Sequence, residues 1–128
     1  MTPSPGHRQH QEHQIVESLT AGRMTVELDG QCLADSRGDV IRLTEDGQPA
    51  NFYFSREDVQ MQFLKPSTKT TSCPFKGTAT WFSIRTKDAK VEDAAWSYED
   101  PYEEHAALKG RLAFDVAASA ALVIRSLP

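Results

Sequence analysis

Two short stretches of the chain carry the side chains best suited to chemistry. The first reads Ser72-Cys73-Pro74-Phe75-Lys76-Gly77, and the second, further along, reads Trp96-Ser97-Tyr98-Glu99-Asp100-Pro101. Between them they supply a thiol, an ammonium, two large aromatic rings and two carboxylates. Such groups line ligand pockets, but no known reaction requires them at this spacing, so they indicate a site without naming its chemistry.

Size and charge limit the classes of function. A chain of 128 residues, 39% hydrophobic and 25% charged, fits one globular domain. Its net charge of −4, with dispersed basic residues, disfavours nucleic-acid binding, which depends on many contacts to phosphates. No apolar run approaches the roughly twenty residues that a membrane helix needs. Because no secretory signal is present, we expect a cytoplasmic protein in which Cys32 and Cys73 are free thiols.

The N-terminal region is polar and differs from the rest of the chain. Residues 1–14 read as a flexible tail or as a strap lying on the domain. His7, His10 and His13 recur at every third position, a spacing that also admits a transition-metal site. We favour the polar tail, because no predicted helix or hairpin fixes the imidazoles. The sequence therefore predicts neither a metal nor a cofactor.

Alternating apolar residues predict a mainly β fold with antiparallel strands. Residues 24–29 form the clearest strand, and Asp29-Gly30 is the dipeptide preferred in a type I′ hairpin turn before a partner strand at 31–35. Further strands are predicted at 40–44, 51–54, 70–73, 78–84, 94–98 and 112–116, and from residue 120 to the C-terminus. Because strand side chains repeat every second residue, Trp96 and Tyr98 should share one face.

Two short helices are predicted between the strands. Ser55 is a suitable N-cap for a helix over 56–64, which Pro66 would prevent from continuing. Asp100 and Pro101 have the residue types of the cap and first position of a second helix, over 101–108. We expect His105 to be exposed near the end of that second helix.

Several spaced motifs resemble those of a bacterial family, domain of unknown function 427. They read Ala21-Gly22-Arg23, Arg56-Glu57-Asp58-Val59, Cys73-Pro74-Phe75-Lys76-Gly77, Trp96-Ser97-Tyr98-Glu99-Asp100-Pro101 and Gly110-Arg111-Leu112-Ala113-Phe114. The resemblance covers about residues 13–116. It implies one domain over 15–128 with a β-tent-like fold, in which two antiparallel sheets lean over a pocket. Methionine sulfoxide reductases and the ligand-binding domain of cereblon share that architecture, although a fold does not establish a function.

This chain departs from the family pattern at two positions. Ser55 stands where the family often has proline, and both residue types suit the start of a helix. Thr78 stands where the family often has an acidic residue, which weakens any scheme that pairs an acid with Lys76. The chain also lacks the two C-x-x-C pairs that hold zinc in some β-tent relatives, so we expect no zinc ion of that type.

The leading hypothesis is a binding module for a small molecule or a modified residue, with its pocket between the two sheets. The predicted ligand-binding residues are Arg56, Cys73, Lys76, Trp96 and Tyr98. The aromatic pair offers flat faces to a planar or cationic ligand, although the sequence is nearly as well explained if Trp96 and Tyr98 are core residues with no such role. Among these side chains, Lys76 is the predicted contact for an anionic group. The ligand and the oligomeric state are left open.

Two alternatives belong to other classes of function. In a cysteine-dependent enzyme, Cys73 would be the nucleophile or redox thiol, Lys76 its activator, and His105 or Asp58 the proton carrier. Cys73 is better explained as a small buried residue, which we favour over a nucleophile. In a protein-interaction adaptor, the N-terminal tail or an exposed strand edge would bind the partner.

Overall fold

The fold is mainly β, with antiparallel strands, as the sequence predicts. The computed structural model describes residues 2–128, so Met1 of the predicted tail lies outside the described residues. The strands are β1 Ile15–Leu19, β2 Arg23–Leu28, β3 Gln31–Arg37, β4 Val40–Glu45, β5 Asn51–Phe54, β6 Leu64–Cys73, β7 Gly77–Arg85, β8 Lys90–Tyr98, β9 Ala113–Phe114 and β10 Leu122–Leu127. One α-helix, α1 Pro5–Gln9, precedes them. Short 3₁₀ segments lie at Arg56–Asp58, Met61–Phe63, Glu103–Leu108 and Val116–Ala118.

Backbone hydrogen bonds divide these strands among three sheets, where the resemblance implies two. The strand orders are β1-β4-β5, β10-β2-β3 and β6-β7-β8-β9. Isolated bridges connect the sheets. The Phe54 N–H donates to the Leu112 carbonyl at 2.8 Å, and the Leu112 N–H donates back at 3.0 Å. This reciprocal pair connects β5 to the segment that leads into β9, and so brings the first and third sheets together.

Alternation along the strands places the apolar residues in two clusters. In β2 every second residue is buried, which puts Met24, Val26 and Leu28 into the larger cluster. The smaller cluster contains Ile41, Leu43, Tyr53, Ala79, Tyr98, Leu108 and Ala113, and partly buried Cys73, Trp81 and Trp96 pack against it. The predicted type I′ turn between β2 and β3 is confirmed, since Asp29 and Gly30 both have positive φ angles, of 49° and 83°.

Neither predicted helix forms as one continuous helix. At 56–64 the reason is a contact with a distant strand. Residues 56–64 contain two 3₁₀ segments separated by Val59, whose φ of −106° and ψ of 135° are extended. Val59 forms a β-bridge with Ala34 instead of continuing a helix. Ser55 supplies no side-chain cap. A helix this short is marginal without tertiary support, so the bridge prevails.

The second predicted helix, at 101–108, is present in part but is not an α-helix. It is a 3₁₀ segment, Glu103–Leu108, interrupted at His105 by a non-helical φ of −125°. The cap position is held by Tyr102, which provides no side-chain hydrogen bond. Near the C-terminus, only Ala113–Phe114 of the strand predicted at 112–116 belongs to a β-strand, whereas the strand predicted from residue 120 to the C-terminus is confirmed as Leu122–Leu127.

The N-terminal region packs on the domain. We call residues 2–14 the N-terminal strap. The expectation that no helix fixes it is wrong, since α1 begins after Ser4, whose hydroxyl accepts a hydrogen bond from the His7 N–H. Pro5 occupies the first helical turn, where a missing N–H costs nothing. Ser4 and Gly6 are buried.

Candidate functional site

An open cleft of about 350 Å³ lies beside the smaller apolar cluster. Its lining residues are Glu45, Gln48, Asn51, Tyr53, Thr71, Lys76, Trp81, Trp96, Tyr98 and Asp115. A larger groove, of about 480 Å³, is lined mainly by apolar residues from β5, β9 and β10, and Asp115 is its one ionisable lining residue. Because aromatic faces and convergent polar groups distinguish ligand sites, we take the aromatic cleft as the candidate site.

The register of β7 and β8 places the aromatic rings side by side. Trp81 is paired with Trp96, and Ala79 with Tyr98. The two indole rings lie 5.1 Å apart between centroids, with their planes inclined at 37°. Trp96 and Tyr98 both line the cleft, as their spacing along the strand predicts. One short hairpin therefore supplies three rings to a single wall.

Hydrogen bonds inside the protein fix the two indoles. The Nε1–H of Trp96 donates to the Tyr53 hydroxyl at 3.1 Å, and the Nε1–H of Trp81 donates to the Thr71 hydroxyl at 2.9 Å. The Tyr53 ring lies nearly perpendicular to that of Trp96, at 86°. Burial raises the pKa of Tyr53, so its hydroxyl stays protonated. Both indole N–H groups are thus occupied, and the Lys69 ammonium lies over the Trp81 ring at 4.0 Å from its centre, so a ligand can meet these indoles only at the ring surface that remains.

Tyr98 provides a free polar group in the cleft. Its side chain is mostly buried, yet within residues 2–128 its hydroxyl has no hydrogen-bond partner. Burial raises the pKa of this phenol, so it remains a neutral donor and acceptor. The Lys76 ammonium lies 5.9 Å from the centre of the Tyr98 ring. A ligand against the Trp96 face therefore has a hydroxyl available on the neighbouring residue.

The charge of Lys76 is already paired. Its ammonium donates to one Glu45 carboxylate oxygen at 2.9 Å, and His13 contacts the other oxygen at 2.9 Å. The Lys76 side chain is only 9% exposed. Burial alone would raise the pKa of Glu45, but the hydrogen bonds from Lys76 and His13 outweigh it and hold that pKa below its usual value. Glu45 therefore stays ionised, which leaves Lys76 less able to attract an anion than the sequence suggests.

The two chemically promising stretches of the sequence meet at Gly77. Its φ of 120° lies in the region that favours glycine, and a Cβ there would be 3.3 Å from the Asp100 carbonyl oxygen. The Tyr102 N–H donates to the Lys76 carbonyl at 3.0 Å. The turn after β6 and the end of β8 are thus held against each other, next to the cleft.

A family model now identifies the chain. The model of the domain of unknown function 427 matches residues 17–124. The chain belongs to the domain of unknown function 427 family. No curated protein matches it. All the lining residues of the aromatic cleft fall within the matched range. Among the helices of residues 2–128, none has the length and apolar character to cross a membrane.

In this family member, three of the five predicted ligand-binding residues share the cleft, namely Lys76, Trp96 and Tyr98. Cys73 is half-buried against the smaller apolar cluster and does not line the cleft. Arg56 lies elsewhere, with its guanidinium donating to Glu99 at 3.0 Å and to the Gly110 carbonyl at 3.1 Å.

Sequence reasoning missed other lining residues. The most important are Tyr53, Trp81 and Glu45. Tyr53 and Trp81 lie on the predicted strands 51–54 and 78–84, and the register of β7 with β8 places Trp81 beside Trp96. Glu45 had no local signal, because it reaches Lys76 from 31 positions away in sequence.

His105 is buried, not exposed as expected. It is 3% exposed, its Nδ1 is hydrogen-bonded to the Glu17 carboxylate, and its Nε2 lies 2.7 Å from the Nε2 of His7. Both its nitrogens and the Lys76 ammonium are thus bound to groups other than Cys73. In the described chain the Cys73 sulfur forms no hydrogen bond. These contacts do not build the cysteine–base pair that the enzyme hypothesis requires.

The histidine-rich strap does not assemble a metal-ligand cluster. Within residues 2–128, no three His, Cys, Asp or Glu side chains are grouped as ligands for one ion. Its three imidazoles pack around Phe75 instead. Both cysteines are free, as predicted.

Proposed function

We propose that this family member is a binding module for a small planar molecule or a modified side chain, held in the aromatic cleft. The observation that supports this proposal is the wall formed by Trp81, Trp96 and Tyr98, three aromatic residues that line the same cleft. Indoles with their N–H groups already bonded offer stacking rather than hydrogen bonding. The cleft volume of about 350 Å³ suits a ligand of one or two rings.

The charges around the cleft nearly balance, so they do not attract an anion. Among the lining residues, Glu45, Asp115 and Lys76 are ionised at neutral pH and sum to −1, and the Lys69 ammonium lies 4.0 Å from the centre of the Trp81 ring. Lys76 is neutralised by Glu45. Aromatic faces attract ammonium groups through the ring quadrupole, so an N-methylated ammonium belongs in the same ligand class as a flat heterocycle.

The bulk properties agree with a small-molecule partner. The net charge of −4 is poorly suited to nucleic-acid phosphates. Two free thiols support a reducing compartment such as the bacterial cytoplasm.

A thermal-shift screen with nucleosides, flat metabolites and methylated amino acids tests the proposal. A true ligand raises the melting temperature of the wild-type protein, since it binds the folded state only. Trp96→Ala should abolish that rise, and Tyr98→Phe, which keeps the ring, should reduce it. Arg56→Ala is the matched control, because Arg56 lies outside the cleft, and it should leave the rise unchanged.

The same screen can refute the proposal. A rise in melting temperature that survives both cleft substitutions would place binding elsewhere. Trp96→Ala also removes a packed ring, so binding is measured in parallel by quenching of tryptophan fluorescence in Tyr98→Phe, which retains both indoles. Ligands that quench the wild-type protein and this variant with equal affinity would argue that the hydroxyl has no part in recognition.

A further inference from the structure

The three histidines of the N-terminal strap surround one residue, Phe75. The His13 ring stacks on it at 4.5 Å between centroids with 25° between planes, and the His7 ring meets it edge-on at 5.1 Å and 76°. His10 lies at 6.3 Å. The spacing of every third residue, which suggests a metal site in the sequence, is thus explained by packing around a phenylalanine in the turn between β6 and β7.

Backbone contacts attach the same strap to two segments of the domain. The Gly6 N–H and the Ser4 hydroxyl both donate to the Pro74 carbonyl, each at 2.8 Å. The Ser4 N–H donates to the Glu104 carboxylate at 2.8 Å. Glu104 and His105 belong to the same 3₁₀ segment, so the strap is held by the Pro74 turn on one side and by this segment on the other.

The contact between His7 and His105 depends on protonation. A hydrogen bond between two imidazole nitrogens needs one N–H and one lone pair. With both rings neutral, His105 donates from Nδ1 to Glu17 and accepts at Nε2 from His7. One added proton is accommodated, because His105 then donates from both nitrogens and His7 accepts. A second proton places N–H groups on both facing nitrogens and two like charges in contact.

We propose that the N-terminal strap is a pH-sensitive latch, closed at neutral pH and released when His7 and His105 are both protonated. The proposal stands apart from the aromatic cleft and does not depend on what the cleft binds. Release would uncover Phe75 and withdraw His13 from Glu45, so acidification would change both the surface of the turn and the charge beside Lys76.

Some charged neighbours lower the pKa of His7 and others raise it. Burial and the nearby His105 and His13 lower the pKa of His7, whereas the Glu104 and Glu45 carboxylates raise it by less. Because this pKa lies below 6.5 in the latched state, the released strap binds more protons. The stabilisation of the latch is therefore complete above pH 6.5 and is lost as the pH falls through the lowered value. The Glu17 carboxylate is paired with Nδ1 of His105 and offsets the positive charge of the first proton added to the His7–His105 pair. Release therefore requires a second proton.

Backbone ¹⁵N relaxation of the full-length protein tests the latch. Order parameters of α1 are expected to be near 0.85 at about pH 7.5 and to fall below roughly 0.6 at about pH 5. His7→Gln should keep α1 ordered at the lower pH, because the amide can donate its N–H to a neutral His105 or accept at its oxygen from a protonated His105, and it takes up no proton itself. His10→Gln, which replaces the exposed histidine of the strap, is the matched control. Its strap should be released over the same pH range as the strap of the wild-type protein.

Two results would overturn the proposal. One is a wild-type strap that stays ordered at about pH 5. The other is release of His7→Gln over the same pH range as the wild type. If His7→Gln fails to dock at any pH, the imidazole ¹⁵N titration of wild-type His7 decides: its midpoint must coincide with the loss of order in α1, and a separation of more than about one pH unit refutes the latch.

Discussion

Gly6 and Pro74 approach each other more closely than any residue with a side chain would allow. The Gly6 N–H donates to the Pro74 carbonyl oxygen at 2.8 Å, and a Cβ at position 6 would lie 2.7 Å from that oxygen and 2.8 Å from a carbon of the Phe75 ring. Backbone atoms and a packed ring cannot give way as a flexible side chain would. Docking of the N-terminal strap therefore requires glycine at position 6, because Pro74 and Phe75 leave no space for a Cβ.

Gly6→Ala should release the strap at every pH. Overpacking typically costs about 1–3 kcal/mol, and here the loss is limited to what docking of the strap contributes, because the rest of the domain can remain folded. The measurement is the free energy of unfolding from denaturant titration, together with the order parameters of α1. Arg8→Ala, an exposed neighbour in the same helix, should change stability by less than about 0.5 kcal/mol. A docked strap in Gly6→Ala would contradict the packing argument.

The strands could be predicted because their signals are local. Alternation in residues 24–29 and the Asp29-Gly30 turn each require only neighbouring residues, and both are confirmed. The predicted helices failed because the decisive contacts are distant: Val59 pairs with Ala34, and no local pattern reports that bridge. β1 was missed for the same reason, since its half-exposed residues gain their order from pairing with β4.

The site was predictable to the extent that it lies on one hairpin. Trp96 and Tyr98 share a face by strand geometry alone, and the structure puts both in the cleft. Arg56, at the start of a predicted helix, is predicted to join them as a ligand contact, but its side chain donates to Glu99. The buried position of His105 required the strap, which the sequence presents as a polar tail, to fold back onto the domain.

Tyr53→Phe should destabilise the protein, and Tyr98→Phe should not. The Tyr53 hydroxyl is the acceptor for the Trp96 indole N–H, so its removal leaves that donor without a partner. The expected loss in the free energy of unfolding is about 1 kcal/mol, the low end of the range for an unpaired buried donor, because this group is only partly buried. The Tyr98 hydroxyl bonds to nothing in the described chain, so its loss should cost less than about 0.5 kcal/mol. Chemical denaturation of the two variants measures the difference. Equal losses would mean that the indole N–H is not held by Tyr53.

Glu45→Gln should be among the most destabilising conservative substitutions, since it leaves the mostly buried Lys76 ammonium without its carboxylate. Breaking a buried pair on one side costs about 3 kcal/mol. The double variant Glu45→Gln with Lys76→Met removes both charges and should recover much of that loss. A double variant no more stable than Glu45→Gln alone would show that the isolated ammonium is not the cause.

The same pair gives stability a dependence on pH. The pKa of Glu45 is lowered on folding from its ordinary 4.5, so its contribution is complete above that value and is lost as the pH falls through the lowered one. Unfolding free energies measured across this acidic range should decline less steeply in Glu45→Gln than in the wild-type protein. Parallel curves for the two proteins would contradict the pairing of Glu45 with Lys76 and His13.

Alkylation of the two thiols tests the cysteine-enzyme hypothesis directly. An activated Cys73 would react with iodoacetamide far faster than Cys32, since thiolates are the reactive form and a nearby unpaired ammonium favours them. In the structure both cysteines are half-buried, and the Lys76 charge is neutralised by Glu45. We therefore expect the two rates at neutral pH, measured by mass spectrometry of Cys32→Ser and Cys73→Ser, to differ by less than about tenfold, since neither thiol has an activating neighbour. Selective, rapid labelling of Cys73 that disappears in Lys76→Met would favour the enzyme over the binding module.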